Sequence, residues 1–284
     1  MMRPVDLAFP ARRIELRGES IGSGPTVVLL HAGGERRAAW RPVAARLAAH
    51  GVRAVSVDQR GHGDSAGALG SGLDVYADDV AAVVRSLGVR VTLVGCSLGG
   101  LAALLATTHP DVEQRLDGLV LVDVVPDPDA ARARRHLGAG EQRMRNHHRR
   151  ASTWSLIEDI LGRSDELRAA AVAVRSPVTL IRGTSSWAID GDDQRRFSFL
   201  APQASLVTIE GSGHLVARDR PEELADALLD HLDRCSPSFV HAGSKRRQRR
   251  SRIVVDMETN AARRLHTQTR TTIQRRSKTH VHHH

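Results

Sequence analysis

The sequence predicts an α/β protein, a mostly parallel sheet with helices on both faces, and three observations carry that reading. First, short and continuously apolar runs recur along the chain: Thr26-Val27-Val28-Leu29-Leu30, Leu119-Val120-Leu121-Val122 and Pro177-Val178-Thr179-Leu180-Ile181. Runs without alternation suit strands covered on both faces. Second, helical periodicity fills the gaps; Leu73 to Leu87 places Val75, Val80, Val83, Val84 and Leu87 on one face. Strands alternating with helices imply parallel pairing through right-handed crossovers. Third, Val89-Arg90-Val91-Thr92-Leu93-Val94 runs into Gly95-Cys96-Ser97-Leu98-Gly99-Gly100 and then Leu101-Ala102-Ala103-Leu104-Leu105-Ala106. That is strand, sharp turn and helix, with a serine pushed out of the backbone between small neighbours.

The remaining elements follow in order. Arg12 to Ile21, with Gly18 and Gly22, reads as an opening β-hairpin. Trp40 to Leu47 has a helical pattern, Val52 to Val57 is a strand, and Ala204 to Ile209 is the last strand before an amphipathic helix over Pro221 to Leu232. Between Pro126 and Ser176 the chain is rich in Arg, Asp and Glu, with helical stretches at Ala130 to Leu137 and Thr153 to Leu161. This division gives a core of residues 1–125 and 177–235, a small helical cap at 126–176 and a tail at 236–284. Leu156, Ile157, Ile160 and Leu161 lie at helical spacing in the cap. They either shape a pocket or seat the cap on the core, and the second reading is preferred.

Charge is unevenly distributed. The chain of 284 residues carries +9, but twelve Lys and Arg against two acids lie after His241, which leaves residues 1–240 at −1. The basicity therefore belongs to the tail, whose composition cannot bury enough apolar surface to offset chain entropy and is expected to be disordered. Nonspecific attraction to nucleic acid is its alternative role; specific nucleic-acid binding is not expected. Two cysteines, Cys96 and Cys235, cannot build a disulfide framework. No apolar stretch has the length of a signal peptide or a membrane span, so a cytoplasmic protein, monomer or homodimer, is expected.

Three glycine- and histidine-bearing segments join the serine turn. His31-Ala32-Gly33-Gly34 follows the first buried strand and Asp58-Gln59-Arg60-Gly61-His62-Gly63-Asp64-Ser65 the second, while Gly211-Ser212-Gly213-His214 follows the last. In this order, and with the cap position, they resemble the α/β-hydrolase family over residues 12–233. The resemblance implies Ser97 as nucleophile, His214 as general base, and an oxyanion hole from the backbone N–H groups of Leu98 and Gly33. A serine hydroxyl is a poor nucleophile until an imidazole takes its proton. His31, Arg60 and His62 are read as loop braces, Asp64 and Ser65 as turn residues, and Cys96 as small packing.

The acid departs from the family pattern. In most relatives it lies four residues past the Arg-Gly that ends the penultimate strand, about 27 residues before the histidine. Here Arg182-Gly183-Thr184-Ser185-Ser186 leads to Trp187 at that position. Asp123, at the end of Leu119-Val120-Leu121-Val122, takes the place used in haloalkane dehalogenase relatives that moved the acid one strand earlier. Asp190 is the second choice and requires the loop to rearrange; a third reading leaves no acid at all.

The resemblance implies a cofactor-independent serine hydrolase acting on a small ester, thioester or lactone. Carbon–carbon bond hydrolysis or perhydrolysis at the same residues, or a non-catalytic receptor on the same scaffold, are the alternatives. No metal site is expected, because His147-His148 and the tail histidines lack partner spacing. No glycine-rich nucleotide loop occurs either.

Overall fold

The computed structural model describes residues 3–69, 72–142, 147–235 and 253–255. The chain opens with the hairpin β1 (Val5–Ala11) and β2 (Ile14–Ile21), then β3 (Thr26–Leu30), a 3-10 turn at Arg37–Trp40, α1 (Arg41–Ala49) and β4 (Arg53–Val57). Next come α2 (Leu73–Leu87), β5 (Val91–Cys96), α3 (Leu98–Ala106), the single turn α4 (Pro110–Glu113) and β6 (Leu116–Val122). Three helices, α5 (Ala130–Gln142), α6 (His147–Gly162) and α7 (Ser164–Ala173), separate β6 from β7 (Val178–Gly183). The chain continues through α8 (Gly191–Leu200), β8 (Ser205–Ile209), α9 (Val216–Asp219), α10 (Pro221–Cys235) and β9 (Ile253–Val255).

The strands form one sheet in the order β1-β2-β4-β3-β5-β6-β7-β8-β9. From β4 through β3, β5, β6 and β7 to β8 every pairing is parallel; the two ends add antiparallel partners. β3, β5 and β6 are covered on both sides, and every residue of β3 and β5 is buried. This explains their unbroken apolar composition. One core cluster lies between the sheet and α2, α3 and α7, with Val80, Leu104 and Leu167 at its centre. The other lies under α1 and α10, where Leu47, Leu224 and Leu228 meet Val27, Val94 and Val120.

Several boundaries differ from the expectation, each for a physical reason. The hairpin begins at Val5, with its turn at Arg12-Arg13 and Arg13 at φ 58°. β1 is an edge strand that alternates in exposure and contains Pro10, both tolerated where only one neighbour pairs. The sequence reading missed α7 and α8. α8 is signalled by Asp190, which caps it by accepting from the amides of Asp192 and Asp193, with the Asp193 side chain reaching back to the Asp190 amide. Of the tail, Ile253-Val254-Val255 pair antiparallel along β8; the other residues of 236–284 lie outside the described residues, as does the 143–146 link between α5 and α6. No helix among the described residues is long and apolar enough to cross a membrane.

Two histidines, His31 and His231, are buried in the fold. His31 accepts the Gln59 amide at Nε2 (3.0 Å) and donates from Nδ1 to the Ala32 carbonyl (2.8 Å). His231, on α10, contacts Thr179 Oγ1 at 2.8 Å and Cys235 Sγ at 3.2 Å. Burial pushes His31 down to about 4 and, with the nearby Arg234 charge, His231 down to about 3. Both rings protonate near 6.5 in the unfolded chain. Between these values the unfolded state binds more protons, so stability falls as the pH is lowered from 6.5, by up to about 1.4 kcal/mol per pH unit for each ring. Urea midpoints measured from pH 7 to 5 should decline, and a His31→Gln, His231→Gln double variant should show a flatter decline from a lower starting point. An equal slope in both proteins would show that other groups control it.

Candidate active site

Parallel register brings the functional segments to one edge. Cys96 pairs with Val122, so Ser97 and Asp123 are each the first residue past an aligned pair. The Ser97 amide bonds the Val122 carbonyl at 3.3 Å and the Asp123 amide bonds the Ile181 carbonyl at 2.7 Å. β3 delivers His31 to Gly34 to the same end, and β8 delivers His214. Carboxyl ends of neighbouring parallel strands are where open α/β sheets place their ligand crevices.

Both strand exits are bent sharply. Ser97 adopts φ 51°, ψ −118°, and Asp123 φ 55°. L-residues with side chains rarely adopt such torsions, and they persist only where the surroundings impose them. At the serine turn the glycines are imposed by contact. A Cβ on Gly95 would lie 2.3 Å from the Gly99 backbone, and one on Gly99 2.5 Å from the Leu30 carbonyl oxygen. Ser97 then opens α3, where the Leu98 amide, at the first helical position, has no intrahelical acceptor. A Cβ on Gly33 would sit 3.8 Å from the Leu98 side chain, so the His31–Gly34 loop runs directly beside this turn.

That loop is braced from below. His62 accepts the Gly34 amide at Nε2 (3.0 Å) and lies 2.9 Å from the Arg60 carbonyl through Nδ1. Arg60 makes a buried bidentate pair with Asp79 at 2.6 and 2.5 Å. The fully buried Asp58 accepts from the Arg37 and Asp64 amides and pairs with the Arg37 guanidinium. Ser65 Oγ donates to the Asp58 carbonyl at 2.6 Å. Each histidine of this region is thereby occupied in holding backbone.

The two candidate carboxylates have different surroundings. Asp123, with a fully buried side chain, has Oδ2 2.8 Å from His214 Nδ1, and its oxygens also accept from the Gly183 amide (3.0 Å) and the Ser186 hydroxyl. Three donors offset the desolvation of a buried carboxylate. An imidazole donating through Nδ1 to a carboxylate keeps Nε2 free as an acceptor. Asp190 is committed elsewhere: it caps α8 and pairs with Arg132 at 2.8 Å. The Asp193 amide, its own desolvation notwithstanding, and Arg132 hold the Asp190 carboxyl below the usual carboxylate range.

Trp187 stacks on His136 of α5 at 4.8 Å and 12°, and leans on His214 at 4.8 Å and 51°. Cys96 is buried, its thiol pushed far up by that burial and directed at the His214 carbonyl 3.5 Å away. Ser97, Leu98, Gly33, Asp123, Trp187 and His214 all line one cavity of about 1060 Å³, roofed by α5 and α6. Leu156, Ile157, Ile160 and Leu161 line it too, while Leu156 also belongs to the core and Ile160 packs against it. Among the described residues no group of three or more His, Cys, Asp or Glu side chains could hold a metal ion.

A parallel sheet with a strained serine between strand and helix, and a carboxylate-held imidazole in the same cavity, defines an α/β-hydrolase-fold enzyme. The chain belongs to the alpha/beta hydrolase family, whose model matches residues 27–227. It is 27% identical to the 2-(acetamidomethylene)succinate hydrolase of Mesorhizobium japonicum, over 78% of this chain and 92% of that one. It is 28% identical to an esterase of Mycobacterium tuberculosis, over 75% of this chain and 84% of the other. Among solved structures, a thermophilic esterase from Thermogutta terrifontis superposes with a TM-score of 0.67 at 23% identity, covering 82% of this chain and 99% of its own. The protein is a hydrolase.

The crowding at the serine turn sets a test of the local fold. Gly99→Ala should destabilise the protein by about 2 kcal/mol or more, because backbone carbonyls rather than flexible side chains meet the new methyl. Urea denaturation followed by circular dichroism would measure it, and a loss below about 0.5 kcal/mol would show that the turn has room to relax.

Proposed function

We propose that this hydrolase cleaves a carboxylic ester, thioester or lactone of a small acyl substrate through an acyl-enzyme on Ser97. The observation that carries the reading is the 2.8 Å contact between His214 Nδ1 and Asp123 Oδ2, in a cavity that Ser97 also lines. His214 Nε2 takes the Ser97 proton as Oγ attacks the carbonyl carbon, then returns it to the departing alkoxide or thiolate. Asp123 fixes the tautomer and stabilises the imidazolium formed in the transition state. The Leu98 and Gly33 amides receive the oxyanion, each such donor being worth about 3 kcal/mol of transition-state stabilisation. Water attacking the acyl-enzyme, activated by the same imidazole, completes turnover. The names of the relatives, two of them hydrolase and esterase, support the reaction type.

A fluorophosphonate probe should label the protein rapidly, and Ser97→Ala should abolish the labelling; a folded, unlabelled wild type would favour the receptor alternative. Asp123→Asn should lower kcat on p-nitrophenyl esters by about 10⁴-fold, the scale seen when a triad acid loses its charge. Asp190→Asn should cost stability through the α8 cap, at most about 1 kcal/mol, with kcat changed less than threefold. The reverse ranking would mean that Asp190 is the acid.

A further inference from the structure

The cavity around Ser97 is larger than bond cleavage at a two-carbon acyl group needs. Its volume of about 1060 Å³ stands at the upper end of the roughly 300–1,000 Å³ typical of sites enclosing a whole ligand. An acetyl group would leave most of that space as water against hydrocarbon. The wall is continuous with the reaction centre: Leu98, whose amide is proposed to receive the oxyanion, contributes its side chain, and Leu101 follows one turn along α3. Across from them α6 contributes Leu156, Ile157 and Ile160, the first two only 7% and 6% exposed. None of these side chains carries a hydrogen-bonding group.

Several polar and aromatic groups on the lining are already engaged, the exposed Arg36 being an exception. Asp123 is held by His214, Gly183 and Ser186, and Arg218 pairs with Glu35 at 3.0 Å. Among the described residues Trp187 is the only Phe, Tyr or Trp on the lining. Its ring already meets His136 and His214, so it offers no open platform for an aromatic acid. We infer that the acyl part of the substrate is a linear aliphatic chain of medium length, roughly six to ten carbons, lying between α3 and α6. This rests on the acyl-enzyme reading and deepens it, replacing a small acyl group by a longer one.

The test is the kcat/KM of the full-length protein on p-nitrophenyl esters from acetate to dodecanoate. Each methylene withdrawn from water is worth about fourfold. The profile should therefore rise by about two to five orders of magnitude from acetate to a maximum between hexanoate and decanoate. Ile160→Trp, on a partly exposed position, should reduce the octanoate-to-acetate ratio at least tenfold. Acetate esters of lengthening alcohols should show no such rise; if they do, the trough holds the alcohol and the assignment is overturned. A flat acyl profile with brisk acetate turnover would also overturn it. Calorimetric binding of octanoate against acetate to Ser97→Ala separates the two claims. Chain-length-dependent binding without any ester turnover would sink the acyl-enzyme reading alone. Absence of a chain-length effect on binding would sink the aliphatic trough, whatever the turnover.

Discussion

The contact between His214 and Asp123 joins two residues 91 positions apart, and the arrangement of the cavity follows from it. A histidine on a loop after an outer strand has wide rotational freedom. Held through Nδ1 by a buried carboxylate, it has one tautomer and a narrow range of orientations. That carboxylate can lie where it does only because β6 sits between β5 and β7, and because the chain at Asp123 turns through φ 55° as soon as the strand ends. The same turn at Ser97, one strand away, raises the serine to the same level. Two bends of like sign at the ends of adjacent strands therefore set the depth of the crevice.

The buried polar loop beneath Gly33 and Gly34 serves the opposite wall. Arg60, Asp79, His31 and His62 are nearly removed from solvent, and their hydrogen bonds end on backbone groups of the segments after β3 and β4 or on one another. A glycine pair is needed where backbone must approach a reacting carbonyl, but glycines alone would leave that loop soft. Imidazoles accepting the Gln59 and Gly34 amides remove the softness, and the burial that keeps His31 neutral makes the fold weaken in acid. Loop position and acid sensitivity share one cause.

Much of this was legible in the residues. Strands covered on both faces announce themselves as unbroken apolar runs, and Leu73 to Leu87 has the observed bounds of α2 because its apolar stripe and Gly88 mark both face and end. The serine turn is readable because steric crowding permits only small residues there. The choice between Asp123 and Asp190 was not readable in the same way. Composition cannot reveal a positive φ at Asp123, nor that Asp190 would be consumed as a helix cap. Asp190, with Asp192 and Asp193 in the first turn, carried a cap signal, but α8 buries little apolar surface and so lacked the periodicity that draws attention to a helix. Edge elements such as β1 escaped for a related reason, since a strand with one neighbour needs no continuous apolar run.

The loop after β7 supports the proposal that Asp123 is the acid. At Trp187, where the family resemblance leads one to expect the carboxylate, the loop's contribution changes in kind. Its Gly183 amide and Ser186 hydroxyl donate to Asp123, while Trp187 lies against the His214 ring. The segment thus supports the charge without supplying it. The support extends into the helical roof, for His136 stacks on the far side of Trp187, and Arg132, one turn earlier on α5, pairs with Asp190 and Asp193 at the start of α8. A shift of α5 would therefore act on the orientation of the imidazole through the tryptophan, without any contact of α5 with Ser97. With Asp123 as the proposed acid, that loop is a clamp between the helical roof and the His214 ring rather than a supplier of charge.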